Sequence, residues 1–176
     1  RIYDQGKWLE LLSQKLMTLV LLQRTLDLKE ERVCALIEAV RETSEDALRK
    51  QGISLVTDCD AGTLRMDFDL MRSALVNLVM NAGSASDTDQ VVELRAHARM
   101  IEVIDHGKGI AEEEISRITE PFYRVDRSRS KKHGGAGLGL ALVKQIVTAH
   151  GARLVIESVV SQGTTVRMEF LPDSGE

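Results

Sequence analysis

Apolar residues recur at helical spacing from Trp8 to Leu28, where Leu9, Leu12, Leu16, Leu19 and Leu26 step by threes and fours around Gln23. Leu11, Met17, Val20, Leu21 and Leu22 widen that stripe beyond a narrow coiled-coil seam. Such a helix needs partners on more than one side, as in a helical bundle, although a first core helix of one domain fits the periodicity equally well. Asp27 to Glu31 is a charged break. A second helix is expected from about Glu30 to Lys50, burying Val33, Leu36, Ile37, Val40 and Leu48 and stopping at Gln51-Gly52. Ile53 to Thr57 and Thr63 to Met66 read as short strands joined by the turn Cys59-Asp60-Ala61-Gly62. Asp69 is expected to cap a third helix reaching about Ala85, with Leu70, Ala74, Leu75, Leu78 and Val79 inward. Val91 to His97 and Met100 to Ile104 form a hairpin, and Ala111 to Ile118 a short acidic helix stopped by Glu120-Pro121. Leu138 to Ala149 is helical, ended by Gly151. Arg153 to Val159 and Thr164 to Phe170 close the chain as paired strands about Ser161-Gln162-Gly163.

Composition narrows the class. With 176 residues and 43% hydrophobic positions, the chain supports one domain plus a modest extension. Aromatics are only 3%, so the core must be aliphatic. A net charge of -4 argues against a nucleic-acid surface, which needs clustered basic charge. No apolar run approaches the roughly 18 residues a membrane span needs. Cys34 and Cys59 show neither a disulfide framework nor metal-ligand spacing, and are expected as buried free thiols in a reducing compartment. The start, Arg1-Ile2-Tyr3, shows no signal-peptide pattern, and the chain reads as a piece of something longer.

Three features carry candidate chemistry. Asn77 and Asn81 are four apart on an apolar helix and so share a face. A buried, unpaired amide costs roughly 1–3 kcal/mol, so each must bond a neighbouring backbone group or face a polar ligand. Asp105 ends a strand and is followed by Gly107 and Gly109, which allow a sharp turn and close approach to a flat ring. Alone, this is also an ordinary turn. Finally, the basic run Arg124, Arg127, Arg129, Lys131, Lys132 and His133 leads into Gly134-Gly135-Ala136-Gly137-Leu138-Gly139-Leu140. That run matches neither a Walker loop nor a Rossmann fingerprint, but it opens a helix, whose free amides suit phosphate. Asn oxygens for a hard cation, an acid for a base and a phosphate cradle together indicate Mg²⁺–nucleoside triphosphate, with the basic segment as a lid.

On these residues the chain resembles the ATP-binding catalytic domain of sensor histidine kinases, within the gyrase, chaperone, kinase and mismatch-repair ATPase superfamily. The likeness covers about residues 30 to 172. It rests on Asn77-Leu78-Val79-Met80-Asn81-Ala82, Asp105-His106-Gly107-Lys108-Gly109-Ile110, Glu120-Pro121-Phe122-Tyr123-Arg124 and Gly135-Ala136-Gly137-Leu138-Gly139-Leu140, four boxes in the family's order. The resemblance implies a two-layer α/β sandwich of three helices on a mixed five-stranded sheet. Residues 1–28 would be a remnant of the dimerisation bundle and 29–176 the catalytic domain. It further implies that Asp105 accepts from the adenine 6-amino group, Asn81 ligates Mg²⁺ and Asn77 supports the phosphate side. Gly107 and Gly109 would line the base; Gly135, Gly137, Leu138, Gly139 and Leu140 would meet the phosphates; Arg124 would reach the γ-phosphate. The implied partners are a phosphoacceptor bundle in a homodimer and a response regulator, in the cytoplasm, with the parent protein anchored in the membrane.

Departures from the family pattern sharpen the expectation. Ser84 and Ala85 stand where many relatives have Lys and Tyr, removing one positive charge near the phosphates, and His106 replaces a commoner Asn. The four histidines, His97, His106, His133 and His150, all lie in the nucleotide-binding part, so the phosphoacceptor is expected elsewhere. Hydrolase relatives carry a Glu where this chain has Asn77, and an amide cannot act as general base at neutral pH. That favours phosphoryl transfer to a separate group over hydrolysis. The competing readings are a serine-phosphorylating anti-sigma kinase or ATPase of the same superfamily, and a non-catalytic nucleotide-binding module.

Overall fold

The strict alternation of the two stretches between Val91 and Asp105 becomes the middle of a five-stranded sheet. In this computed structural model the described residues are 16, 26–121, 123 and 138–172. The elements run β1 (Lys29–Arg32), α1 (Val33–Lys50), β2 (Ser54–Cys59), β3 (Thr63–Met66), α2 (Phe68–Ala85), β4 (Val91–His97), β5 (Met100–Asp105), α3 (Glu112–Ile115), α4 (Gly139–Ala149), β6 (Ala152–Val159) and β7 (Gly163–Phe170). The large sheet has the order β2-β4-β5-β7-β6, with β2 parallel to β4 and the other pairs antiparallel. The parallel pair requires a long crossover, which β3 and α2 supply. This is the expected mixed five-stranded α/β sandwich. The helix read over Trp8–Leu28 lies outside the described residues apart from Leu16 and the stretch from Leu26 on; Leu16 is helical.

Register separates the two faces of the sheet. Leu94 is opposite Val103, and Ala96, Ile101 and Met168 lie side by side. These residues are buried with Leu36, Leu75, Leu78, Leu142 and Ile146 from the helices, in one aliphatic core. The opposite face carries Glu102 and Arg167 at 3.2 Å, with Arg153 paired to Glu169 and Arg95 to Glu93. Half-exposed pairs of this kind contribute at most about 1 kcal/mol each. Their role is to leave one face wet while the helices cover the other.

Three expectations are corrected. First, Lys29–Arg32 is not the start of α1 but a strand, antiparallel to β3 in a separate two-stranded ribbon with Arg32 opposite Thr63. A strand held by backbone pairing alone has no apolar alternation to announce it. Second, the cap of α2 is Asp67, whose Oδ1 accepts from the Leu70 amide at 3.2 Å, while Asp69 sits in the first turn and pairs with Arg72 at 3.4 Å. Third, Cys34 and Cys59 are not free thiols but a disulfide, with Cα atoms 5.7 Å apart. The cause is a length match. The 18-residue α1 rises about 27 Å, and β2 returns about 20 Å in the opposite sense. The first turn of α1 thus meets the end of β2.

Ser44 is fully buried in α1, and among the described residues its hydroxyl finds no hydrogen-bond partner. An unpaired hydroxyl in a core costs about 1–3 kcal/mol, and Ala is the better helix former. Ser44→Ala is therefore expected to raise the thermal midpoint by about 2–4 °C. A lower midpoint in a melting experiment would mean the hydroxyl is satisfied after all.

At the end of β4, His97 Nδ1 lies 2.7 Å from Asp60 Oδ1, and its Nε2 lies 3.3 Å from Asp58 Oδ2. The Asp60 hydrogen bond is the main cause that holds the imidazolium above its ordinary 6.5, with the charge of Asp58 adding to it. A raised histidine stabilises the fold fully below pH 6.5 and loses that contribution as pH rises through the folded value. An NMR titration should place His97 above 6.5, and Asp60→Asn should bring it back down.

Candidate functional site

Asp105 closes β5 and is only 6% exposed. Its Oδ1 accepts from the Gly107 amide at 2.9 Å, and the carboxylate also accepts from the Thr164 backbone. Burial raises its pKa above the ordinary 3.8, against the opposing pull of those two amides and of His106. A carboxylate offers about four lone-pair positions, so two backbone bonds leave it able to accept from a ligand.

The loop after Asp105 wraps the end of α2. A Cβ on Gly107 would fall 2.0 Å from the Ala85 carbonyl oxygen, and the Lys108 amide bonds that same oxygen at 3.1 Å. Gly109 has φ +68, and a Cβ there would fall 2.1 Å from the Val159 carbonyl oxygen. Only glycine meets both demands at position 109. The loop is thus pressed between the last residue of α2 and the β6–β7 hairpin. Gly107 and Lys108 pack at Ala85, one helical turn beyond Asn81.

Along α2, Asn77 is half-buried and Asn81 exposed. Asn77 Nδ2 donates to the Ser73 carbonyl at 2.9 Å, which leaves its oxygen for other partners. Among the described residues no side-chain hydrogen bond ties down Asn81. An exposed amide oxygen on a rigid helix suits a hard cation.

Helix α4 runs antiparallel to α2, because their far ends are joined. His150, at the end of α4, accepts from the Asp67 amide at 3.0 Å through Nε2, while its Nδ1 donates to the Ile146 carbonyl at 2.7 Å. The 11 residues of α4 rise about 16 Å, which brings its start abreast of the Leu78–Asn81 turn of α2. Leu138 and Gly139 are buried there and Leu140 is half-buried; the first amides of α4 have no partner within the helix. Arg124, Gly135 and Gly137, together with Phe122 and the basic run, lie outside the described residues. Tyr123 is described: its hydroxyl bonds Glu114 of α3, and the Arg117 guanidinium lies 4.3 Å from its ring centre.

Sequence reasoning missed Thr164 and Ser158. Thr164 sits opposite Asp105 in the β5–β7 register and is itself buried. Its hydroxyl lies 2.7 Å from Ser158 Oγ, which also accepts from the Ile110 amide at 2.8 Å. The two hydroxyls thereby fix the floor of the glycine loop. The signal was thin: Thr164 follows a turn glycine and looks like any strand-start threonine.

A strand-end acid braced by backbone amides, a helix with two asparagines on one face and a helix start with free amides belong to one α/β sandwich, and comparison with known proteins gives its class: a nucleotide-binding ATPase domain. Residues 66–174 match the family described as histidine kinase-, DNA gyrase B-, and HSP90-like ATPase. The chain belongs to this family. It is 33% identical over 180 residues to the sensor histidine kinase YkoH of Bacillus subtilis, covering 99% of this chain and 39% of that protein. It is 38% identical over 152 residues to the phosphate regulon sensor protein PhoR of Pseudomonas aeruginosa, covering 83% of this chain and 34% of the relative. These 176 residues therefore span about two fifths or less of such relatives. Among solved structures, full-length ShkA in complex with AMPPNP superimposes with a TM-score of 0.82 at 25% identity, over 95% of this chain and 36% of that one. The catalytic domain of the histidine kinase ThkA shares the fold, with a TM-score of 0.70 over 82% of this chain and 95% of that one.

Proposed function

We propose that this chain is the ATP-binding kinase core of a two-component sensor histidine kinase, passing the γ-phosphate to a histidine on a bundle helix for relay to a response regulator. The observation that carries the reading is Asp105, a buried acceptor held at a strand end just ahead of two glycines that admit no side chain. In that setting a carboxylate selects a ring bearing an amino group. Asp105 accepts from the adenine 6-amino group, and Gly107 and Gly109 line the base by letting the loop pack closely enough to hold that carboxylate in place.

Asn81 holds Mg²⁺ through its side-chain oxygen, and the ion supplies charge neutralisation on the phosphates. Asn77 presents its remaining oxygen on the same face. The amides of Gly135, Gly137, Leu138, Gly139 and Leu140 cradle the phosphates, and Arg124 reaches the γ-phosphate. Asn77 occupies the place of a base without being one, since an amide takes no proton at neutral pH; its nitrogen donates to the Ser73 carbonyl. Hydrolysis by an activated water is therefore disfavoured against transfer.

The acceptor comes from elsewhere. Of the described histidines, His97 ends a strand against Asp60, His106 faces Glu93 and His150 caps α4 with both nitrogens engaged. None is displayed on an open helix face. The partners are an acceptor bundle, within a homodimer of the parent protein, and a response regulator. Residues 1–28 form part of that bundle and 29–176 the catalytic domain. Among the described residues no helix is long and apolar enough to cross a membrane. The domain works in the cytoplasm, with its parent anchored in the membrane.

Calorimetry tests the assignment. Mg-ATP should bind at least about tenfold more tightly than Mg-GTP, because guanine offers an oxygen where Asp105 wants a donor. Equal affinities would contradict the reading. Labelled ATP should leave no stable label on this chain and should label a supplied acceptor bundle.

A further inference from the structure

We propose that Cys34–Cys59 is a thiol–disulfide exchange site, opened by a cysteine dithiol and closed by its oxidised form, which loosens or tightens the root of the ribbon through which the N-terminal segment enters the domain. The proposal rests on the reading of this chain as a kinase core in the reducing interior of the cell. Disulfides in that setting are usually transient or redox-sensing rather than permanent.

Placement is the first argument. Cys34 lies in the first turn of α1, directly after β1, and Cys59 is the last residue of β2, just before the turn into β3. β1 and β3 pair with each other and not with the main sheet. At this end the ribbon's two chains are otherwise joined by the Val33 amide to the Gly62 carbonyl at 3.0 Å and the Arg32–Thr63 register. β1 is polar throughout, Lys-Glu-Glu-Arg, and mostly exposed, so it adds little apolar anchorage of its own. The covalent link is therefore the stiffest tie between the entering chain and the sheet.

The second argument is that the domain has apolar anchorage besides the link: Val33, Ala61, Leu64 and Met66 are buried in the continuous core. Both cysteines are half-buried, which leaves an approach from solvent. The charge setting is also asymmetric. The start of an 18-residue helix favours negative charge at Cys34, whereas Asp58 and Asp60 flank Cys59 and oppose it.

The exchange balances as follows. A thiolate of the dithiol attacks the Cys59 sulfur, the Cys34–Cys59 bond breaks, and Cys34 leaves as thiolate and takes up a proton. The reductant's second thiol then displaces Cys59 as a thiol. Two electrons have passed, the reductant ends as a disulfide, and the domain carries two thiols.

The test equilibrates the chain with graded ratios of reduced to oxidised dithiothreitol, and separately of glutathione, and reads thiols by alkylation and mass. Both thiols should appear together and reversibly. Reduction should lower the thermal midpoint by about 5–10 °C, as expected for opening a loop of this length. Amide exchange in Lys29–Arg32 and Thr63–Met66 should speed at least about tenfold, the size of a 1.4 kcal/mol loss in local protection. Cys34→Ser and Cys59→Ser should match the reduced form and ignore the redox ratio. Affinity for an Mg-ATP analogue should stay within about twofold, since Asp105 lies at another strand end.

A bond that survives excess dithiol in the folded protein, thiols that never reclose, a stable glutathione adduct on one cysteine without closure, or reduction with unchanged ribbon exchange would each overturn the proposal. Absence of nucleotide binding in both redox states would instead overturn the kinase reading, and the ribbon exchange would still decide this one.

Discussion

Asp105→Asn should weaken Mg-ATP binding by roughly 10- to 100-fold while leaving the apo domain about as stable as before. The two halves of that expectation have different causes. Losing a charged acceptor for the adenine amino group costs about 1.4–2.7 kcal/mol, the range of a hydrogen bond to an ionised group. In the apo domain, however, the charge is an expense: burial lifts the Asp105 carboxyl above its ordinary 3.8. A carboxyl raised in the fold destabilises it progressively as pH climbs from the unfolded value through the folded one, and the penalty persists above. Asn removes that penalty. It also gives up one acceptor toward the Gly107 and Thr164 amides, a loss of about 1 kcal/mol. The two nearly cancel, so the thermal midpoint at pH 7 should move by no more than about 3 °C. The slope of stability against pH just above 3.8 should flatten in the variant. Calorimetry for the nucleotide and melting curves at several pH values check both halves. A large midpoint drop would make Asp105 a structural residue and undercut its assignment to the base.

Much of this was legible in the sequence, for identifiable reasons. Alternation along Val91–His97 reports a strand with one wet face, and the structure returns those bounds. The helical stripe of Leu75, Leu78 and Val79 similarly announces α2. What stayed hidden depends on distance in space. Nothing in Lys29-Glu30-Glu31-Arg32 suggests a strand, because its partner β3 is contacted through backbone groups. Cys34 and Cys59 are 25 positions apart, and only the matched reach of α1 and β2 makes them neighbours. Asp67 was passed over for Asp69 although both precede an apolar run, since caps are settled by which carboxylate turns back to an amide. At the site, the boxes gave Asp105, Asn77 and Asn81. They did not give Thr164, which faces Asp105 across the register. Nor did they give His150, whose bond from the Asp67 amide ties the end of α4 to the start of α2, its other nitrogen being held within α4 by the Ile146 carbonyl.

Gly107→Ala should be severely damaging at this site, for steric and not conformational reasons. The added Cβ would meet the Ala85 carbonyl oxygen at 2.0 Å and its carbon at 2.5 Å. Both are backbone atoms at the end of α2 and cannot rotate away. Either the loop or the last turn of the helix must move, and the Lys108 amide's 3.1 Å bond to the same carbonyl is lost with it. Overpacking of this kind costs about 1–3 kcal/mol, and the broken hydrogen bond adds about 1. The thermal midpoint should fall by about 5–12 °C. Nucleotide affinity should drop by more than about 100-fold, because the Gly107 amide orients the Asp105 carboxylate at 2.9 Å and moves with the loop. Gly62→Ala supplies the control: a Cβ there meets nothing within 4 Å, and no positive φ is required. That variant should melt within about 1 °C of the parent and bind nucleotide normally. If Gly107→Ala also melts and binds like the parent, then the loop does not press against α2. In that case the alignment of Asp105 with the asparagine helix has no mechanical basis.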